Sequence, residues 1–218
     1  MTTDEAVLYP AGQQDLTDCS TFLDRLIRLD PVGVVRLQVL GEHVTVWAQP
    51  LGVVVRREVA ARMTVDDRTV SAPGLLAAVR ATTQSPRDAA LAIFLPTPSD
   101  GAWRVTLPPR AGWSVLDAIP VAEFLKVADS AGRLVRAAGD PVAVGESMLD
   151  QETLRVSRDA ERVVVPLRVL VVLNRLGFLG ANGQSGVVRV DCTRTWTRLA
   201  ARHGTVYQRR NAVALRLA

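Results

Sequence analysis

Two histidines and two cysteines are the residues of this sequence best suited to metal binding or nucleophilic chemistry. His43 lies beside a predicted hairpin turn, His203 lies in an arginine-rich stretch, and Cys19 and Cys192 are far apart. Zinc sites place their ligands in closely spaced pairs, and none of these four residues has such a neighbour. The sequence therefore predicts no metal site, no cofactor and no disulfide framework.

The motifs of hydrolases and nucleotide-binding enzymes are incomplete in this chain. Residues 145–149, Gly-Glu-Ser-Met-Leu, lack the final glycine of a nucleophile elbow. Lys126 is the only lysine and lies inside a predicted helix, which excludes a Walker-type phosphate loop. The glycine-rich residues 180–186 follow a helix and precede a strand, the reverse of a dinucleotide-binding loop. We therefore predict no catalytic residue and expect that the chain is not an enzyme.

Arginine is concentrated in the last third of the chain. Residues 155–218 carry 12 basic and 3 acidic side chains, a net charge of +9, whereas residues 1–154 carry 14 basic and 19 acidic ones, a net charge of −5. Such a block predicts contact with something acidic: a nucleic acid, an acidic protein or the first part of this same chain. The candidate binding residues are Arg189, Arg194, Arg198, Arg202, Arg209 and Arg210.

The local structure of residues 193–203 decides how these arginines are arranged. In a helix, Arg194, Arg198 and Arg202 would form one stripe at four-residue spacing, a geometry suited to phosphate groups. In a strand, alternation places Arg198 together with Trp196 and separates the others. We favour the strand, because this stretch matches an earlier part of the chain.

Hydrophobic periodicity predicts the elements that would position these residues. Apolar residues at helical spacing predict an amphipathic helix from Leu16 to about Asp30, and Pro73 and Pro166 begin further helices. Alternating segments such as 187–191 predict strands joined by tight turns. These patterns predict an α+β fold in which about four main helices pack on antiparallel sheets.

The two halves of the chain resemble each other at an offset of 93 residues. At that offset Pro73 aligns with Pro166, each opening an apolar helix after a strand, and Trp103 aligns with Trp196. A pattern of leucine, arginine and glycine follows each tryptophan. The sequence therefore predicts an internal duplication, in which both tryptophans lie on equivalent strands.

The boundary between the halves is predicted near residue 140. A hairpin formed by residues 89–95 and 103–107 ends the first sheet, and a long helix then begins at Val121 and loosens at Gly139. The predicted halves are an N-terminal α+β half, 1–140, and a basic C-terminal α+β half, 141–218. One continuous domain is the alternative.

The segment 34–80 combines a strand meander with a helix entry, Ser-Ala-Pro-Gly-Leu-Leu at 71–76. Repeated units of helix plus strands are also the plan of the DNA sliding clamps, and this segment resembles theirs in topology. The resemblance implies a clamp-like fold and, for a ring with a basic inner surface, a nucleic-acid-associated role. Function does not follow from fold alone, and no family-specific motif accompanies the similarity.

The apolar stretches do not fit a membrane protein. Residues 1–14 contain no apolar run, and residues 163–179 are interrupted by Pro166, Arg168 and Arg175. These features predict neither a signal peptide nor a membrane span, and hence a cytoplasmic protein.

The function we favour from the sequence is that of a noncatalytic interaction or scaffold protein that binds a protein partner or self-associates. One alternative is a nucleic-acid-associated, clamp-like module that uses the basic C-terminal region. The other is an enzyme or small-ligand-binding protein whose site is assembled from distant residues without a recognisable motif.

Overall fold

The architecture of the chain is α+β with antiparallel strands, as the sequence predicts. A computed structural model describes residues 5–84, 91–127, 146–180 and 186–210. The chain divides into two compact units, Met1–Thr106 and Leu107–Ala218. The predicted boundary at residue 140 lies outside the described residues, and the division into units falls earlier in the sequence.

The first unit is built on a three-stranded meander, to which another strand adds at one edge. Its elements are β1 (Val7–Pro10), α1 (Gln13–Leu29), β2 (Val34–Leu40), β3 (His43–Ala48), β4 (Val54–Met63), β5 (Asp67–Ser71), α2 (Ala72–Gln84) and β6 (Ile93–Phe94). The meander runs from β2 to β4, β5 adds beside β2, and β1 pairs with β4 and with β6. All of these pairs are antiparallel.

Helix α1 forms because its apolar residues recur every three or four positions and give it one buried face. The buried residues of this face are Leu16, Cys19, Phe22, Leu23 and Leu26. On the other side, the Asp24 carboxylate accepts hydrogen bonds from Arg28 at 2.6 Å and from Arg80 of α2 at 2.9 Å. The two helices of the first unit are therefore joined by a shared ion pair as well as by their packing.

The second unit contains a four-stranded sheet and a separate hairpin. Its elements are β7 (Ser114–Pro120), α3 (121–127), α4 (Glu146–Leu149), β8 (Glu152–Arg158), β9 (Glu161–Pro166), α5 (Leu167–Arg175), β10 (Val187–Cys192), β11 (Trp196–Ala201) and β12 (Gly204–Arg209). Strands β7, β10, β11 and β12 are neighbours in that order, and β8 pairs with β9. No helix in the described part of the chain is long and apolar enough to cross a membrane.

Each unit itself consists of two repeats of strands and a helix, which we call the halves of that unit. The strands of the two halves pair in the same way in both units, but the halves come in a different order. In the described residues of the first unit, a complete half, β1-α1-β2-β3-β4, precedes an abbreviated one, β5-α2-β6. In the described residues of the second unit the abbreviated half, β7-α3-α4-β8, comes first, and the complete half, β9-α5-β10-β11-β12, follows. In each unit the first strand of one half pairs with the second strand of the other, as β5 with β2 and β7 with β10.

This topology confirms the duplication but corrects its detail. Pro73 and Pro166 both stand where the first strand of a half passes into its helix, β5 into α2 and β9 into α5. Trp196 begins β11, whereas Trp103 follows a short 3-10 turn and lies in no strand, so the predicted equivalence of the two tryptophans is wrong. The Trp103 indole instead donates a hydrogen bond to the carbonyl of Val105.

The predicted hairpin at 89–95 and 103–107 is also wrong. Residues 103–109 form no strand, and among the described residues of this region only β6 is one. Pro108 and Pro109, just after the predicted strand, have no N–H to donate to a ladder. Strand β7 follows instead and directly precedes α3. The predicted continuation of that helix beyond residue 127 and a strand at 212–217 lie outside the described residues.

A close contact at the β11–β12 turn fixes the position of the segment after α5. The Phe178 ring is fully buried against Gly204, and the Phe178 carbonyl accepts a hydrogen bond from the His203 N–H at 3.1 Å. A β-carbon at residue 204 would lie 2.5 Å from the Phe178 ring. The turn therefore requires glycine because of space.

A buried carboxylate lies in the centre of the second sheet. Asp191 has no exposed surface, and its Oδ2 atom accepts hydrogen bonds from Arg198 Nε at 2.7 Å and Arg189 Nε at 3.1 Å. Asp191 and Arg198 are direct cross-strand partners on β10 and β11. The other oxygen, Oδ1, has no hydrogen-bond donor among the described residues. Both arginines are needed to compensate the burial of this charge.

We expect the substitution Gly204→Ala to lower the free energy of unfolding by about 1–3 kcal/mol, because the added methyl overpacks against the Phe178 ring. Thermal unfolding followed by circular dichroism measures the change. Gly101→Ala is the matched control, because nothing lies within 4 Å of the position that its added β-carbon would occupy. An equal loss in both variants would contradict the role of Phe178.

We expect Asp191→Ala to destabilise the protein by about 3 kcal/mol, since it leaves the largely buried Arg198 guanidinium without its acceptor. Urea unfolding of the full chain measures the difference. Glu152→Ala serves as the control, because Glu152 forms an exposed pair with Arg155 that contributes less than about 1 kcal/mol. Similar effects of the two substitutions would show that the burial of Asp191 carries little energy.

Candidate functional site

The residues best suited to nucleophilic or metal chemistry do not converge in the structure. Cys19 and Cys192 are buried and unpaired, and burial raises the pKa of the Cys19 thiol to about 12. Burial also raises the pKa of Cys192, as does the neighbouring Glu161 carboxylate, so both thiols stay protonated near neutral pH. His43 and His203 are exposed at turns, and the described residues contain no group of three side chains able to hold a metal ion.

Residues 193–203 form a turn, the strand β11 and a second turn, which confirms the strand interpretation over the helical stripe. Arg194 lies in the turn before β11, Arg198 lies within the strand, and Arg202 lies in the turn at its other end. The three arginines therefore do not share one face. Arg194 and Arg202 lie at opposite ends of β11.

Arg189 and Arg198 both donate to the buried Asp191 carboxylate, although half of the Arg189 side chain remains exposed. The Arg198 guanidinium also lies 4.3 Å from the ring centroid of Trp113, and that ring packs against Tyr207 at 5.8 Å. Only 17% of the Arg198 side chain is exposed. Arg198 therefore supports the sheet and offers little surface to a ligand.

Arg210 joins three segments of the second unit. Its Nη1 atom donates to the Thr193 carbonyl at 2.7 Å and to Glu161 Oε2 at 3.3 Å, and its Nη2 atom donates to the Arg162 carbonyl at 3.0 Å. These bonds hold the tip of the β8–β9 hairpin beside the β10–β11 turn and the end of β12. Arg158 at that tip also donates to the carbonyl of Val115 in β7 at 3.4 Å.

The contacts of Arg210 bring arginines from three segments to one end of the second unit. We call this surface the arginine end; it consists of Arg158, Arg162, Arg194, Arg209 and Arg210. All except Arg210 are exposed. Arg209 lies over the ring of Trp196, its cross-strand partner, at 5.8 Å. The described acidic residues beside this surface are Asp159 and Glu161, and Glu161 already pairs with Arg210.

The arginine end is suited to binding anions. Each guanidinium presents several N–H donors in a plane, a geometry that matches a carboxylate or a phosphate with two parallel hydrogen bonds. Within the described residues, Arg162 and Arg194 form no ion pair, so their donors face water. These two arginines can therefore accept an acidic group without first breaking an internal contact.

Sequence reasoning identified three members of the arginine end and missed two. Arg194, Arg209 and Arg210 are among the predicted binding residues, whereas Arg158 and Arg162 are not. Nothing in the local sequence shows that the β8–β9 turn lies beside residues 193 and 210. The one local signal of a binding role is the sequence Arg-Asp-Ala-Glu-Arg at 158–162, in which Arg158 and Arg162 flank an acidic tip.

Two family models match the chain, one for each compact unit. Residues 3–104 match the model described as "Domain of unknown function (DUF8010)", and residues 108–213 match "Domain of unknown function (DUF8185)". Each match covers slightly less than half of the chain. No curated protein matches the sequence.

Several solved structures share the fold, and their names describe DNA polymerase sliding clamps. Caulobacter crescentus pol III beta has a TM-score of 0.58 and 13% identity, with 94% of this chain and 64% of that chain covered. The sliding clamp of Bacillus subtilis and the DNA polymerase III beta chain of Streptococcus pneumoniae each have a TM-score of 0.55 and 11% identity, with the same coverage.

At this level of identity the similarity concerns the fold alone. The chain spans 64% of the length of those clamp chains, less than two thirds. The fold expected from segment 34–80 is confirmed, and the repeated halves of the chain agree with it. This chain has a sliding-clamp-like α+β fold.

Proposed function

We propose that this chain is a noncatalytic interaction protein with a clamp-like fold, and that its second unit binds an acidic partner through the arginine end. The observation that carries the proposal is the gathering of four exposed arginines from three segments. Arg158 and Arg162 come from the hairpin, Arg194 from the β10–β11 turn and Arg209 from β12. Arg210 holds these segments together.

The chemistry of arginine supports binding over catalysis at this surface. A guanidinium keeps its proton at every physiological pH, so it neither accepts a proton as a general base nor attacks as a nucleophile. It does bind carboxylates and phosphates through charge-assisted hydrogen bonds. A surface composed of such groups therefore recognises negative charge without changing it.

The helices of the first unit offer no comparable surface. Together α1 and α2 carry three acidic and three basic side chains, and Asp24 pairs with both Arg28 and Arg80. Their charges therefore balance, in contrast to the five arginines and two acids of the arginine end. An acidic partner should prefer the arginine end to the helices of the first unit for this reason.

A nucleic acid is the second candidate partner. The fold resembles that of proteins named as DNA polymerase sliding clamps, and arginines suit phosphate contact. The two candidates differ in salt dependence: neutralising phosphates releases condensed counterions, so the affinity for a duplex falls steeply and linearly in log salt. A short acidic peptide has no comparable counterion atmosphere, and its binding falls less steeply.

We expect the double variant R158E/R194E to weaken binding of a labelled poly-glutamate peptide by about tenfold or more, because it reverses two exposed charges of the arginine end. Fluorescence anisotropy with the full chain measures the affinity, and a short DNA duplex is titrated in parallel at two salt concentrations. Light scattering on the same samples compares the molar mass with the 23.5 kDa chain and so reports self-association.

The matched control is R62E/R104E, which makes the same charge change at two exposed arginines of the first unit. The proposal requires that this control retain binding. Equal losses of affinity in the two double variants would show that net charge alone accounts for the weakening. Unchanged affinity in both would show that the arginine end is not the binding surface.

A further inference from the structure

The β8–β9 hairpin turns one of its two faces to water. Alternation and the strand register place Leu154, Val156, Val163 and Val165 on the inner face, where the last three are buried. The outer face carries Arg155 opposite Val164 and Ser157 opposite Arg162. We call these four residues, Arg155, Ser157, Arg162 and Val164, the hairpin face. It adjoins the arginine end through Arg162.

The hairpin face combines positive charge with an exposed apolar side chain. Val164 is 36% exposed, whereas its neighbours Val163 and Val165 are 2% and 1% exposed. Arg155 is its direct cross-strand partner, and Arg162 lies two residues along the same strand on the same side. The valine is therefore flanked by two guanidinium groups. Glu152 pairs with Arg155, but both side chains are mostly in water, so this pair is weak.

We infer that the hairpin face docks a short acidic segment of a protein partner, in which an apolar side chain lies between carboxylates. Such a segment is complementary in both respects: its carboxylates meet Arg155 and Arg162, and its apolar side chain covers Val164. The inference rests on the proposed function, since it names the partner class for the acidic-partner surface.

The exposed valine favours a protein segment over a nucleic acid. A phosphate backbone has no apolar group to bury on Val164, so a nucleic acid would gain only from the arginines. Stacking of bases would need exposed aromatic rings, and the nearby Trp196 is buried beneath Arg209. Burial of apolar surface adds affinity that salt does not screen, and only a partner with apolar side chains obtains it.

The test compares two synthetic peptides with the full chain. One peptide carries a leucine between glutamates, and the other carries serine in its place, so that the two have equal charge. We expect V164T to weaken binding of the leucine peptide by about fivefold, because threonine keeps the shape of valine but replaces a methyl by a hydroxyl. Binding of the serine peptide and of a short DNA duplex should not change.

Two further variants separate the possible results. V187T is the matched control, because Val187 is an exposed valine of β10 outside the hairpin face; it should leave binding of the leucine peptide unchanged. R155E/R162E should weaken both peptides by about tenfold. Thermal unfolding of each variant verifies that it is folded.

The results distinguish failure of this inference from failure of the proposed function. If V164T binds the leucine peptide as the unmodified chain does while R158E/R194E still weakens it, the inference is overturned and the arginine end stands. If the chain binds the duplex more tightly than either peptide and V164T does not change this, a nucleic acid is the partner. That result would also overturn the inference. If every arginine variant binds both peptides and the duplex as the unmodified chain does, this inference and the proposed function are both overturned.

Discussion

Burial of the Asp191 charge is the constraint on which the second unit depends. A carboxylate without exposed surface is tolerated only with charged donors beside it, and Arg189 and Arg198 provide them. Because Asp191 and Arg198 are direct cross-strand partners, a slip of one residue between β10 and β11 would turn the carboxylate toward the apolar side of the sheet, where Val190 lies. The ion pair therefore specifies the strand register as well as stabilising the sheet.

The arginines of the second unit fall into two groups with different roles. Arg189, Arg198 and Arg210 donate to acceptors within the unit and hold its segments in place. Arg162 and Arg194, which form no ion pair among the described residues, lie at the surface beside Arg210. A partner-binding surface of this kind remains preorganised, because the internal arginines fix the backbone from which the outer ones project.

Much of the fold follows from local sequence, whereas the candidate site does not. The apolar periodicity of α1, the alternation of β10 and the proline before α5 each depend on neighbouring residues, so their structures could be predicted. Strand β7 could not, because only Leu116 is buried in it and it gives no clear alternation. The arginine end depends on Arg210 reaching residues 162 and 193, and such contacts between distant segments leave no local pattern.

The reversed order of complete and abbreviated halves also bears on how the chain folds. It places the two meanders, β2 to β4 and β10 to β12, toward opposite ends of the described sequence. The strands of each meander are neighbours in sequence and are joined by short connections. The strands that complete each sheet pair across long separations, as Val7 with Phe94 and Ile119 with Val188. Loop closure is least costly for the meanders, so we expect two separate nuclei that recruit the middle of the chain last, an order that pulsed hydrogen exchange would resolve.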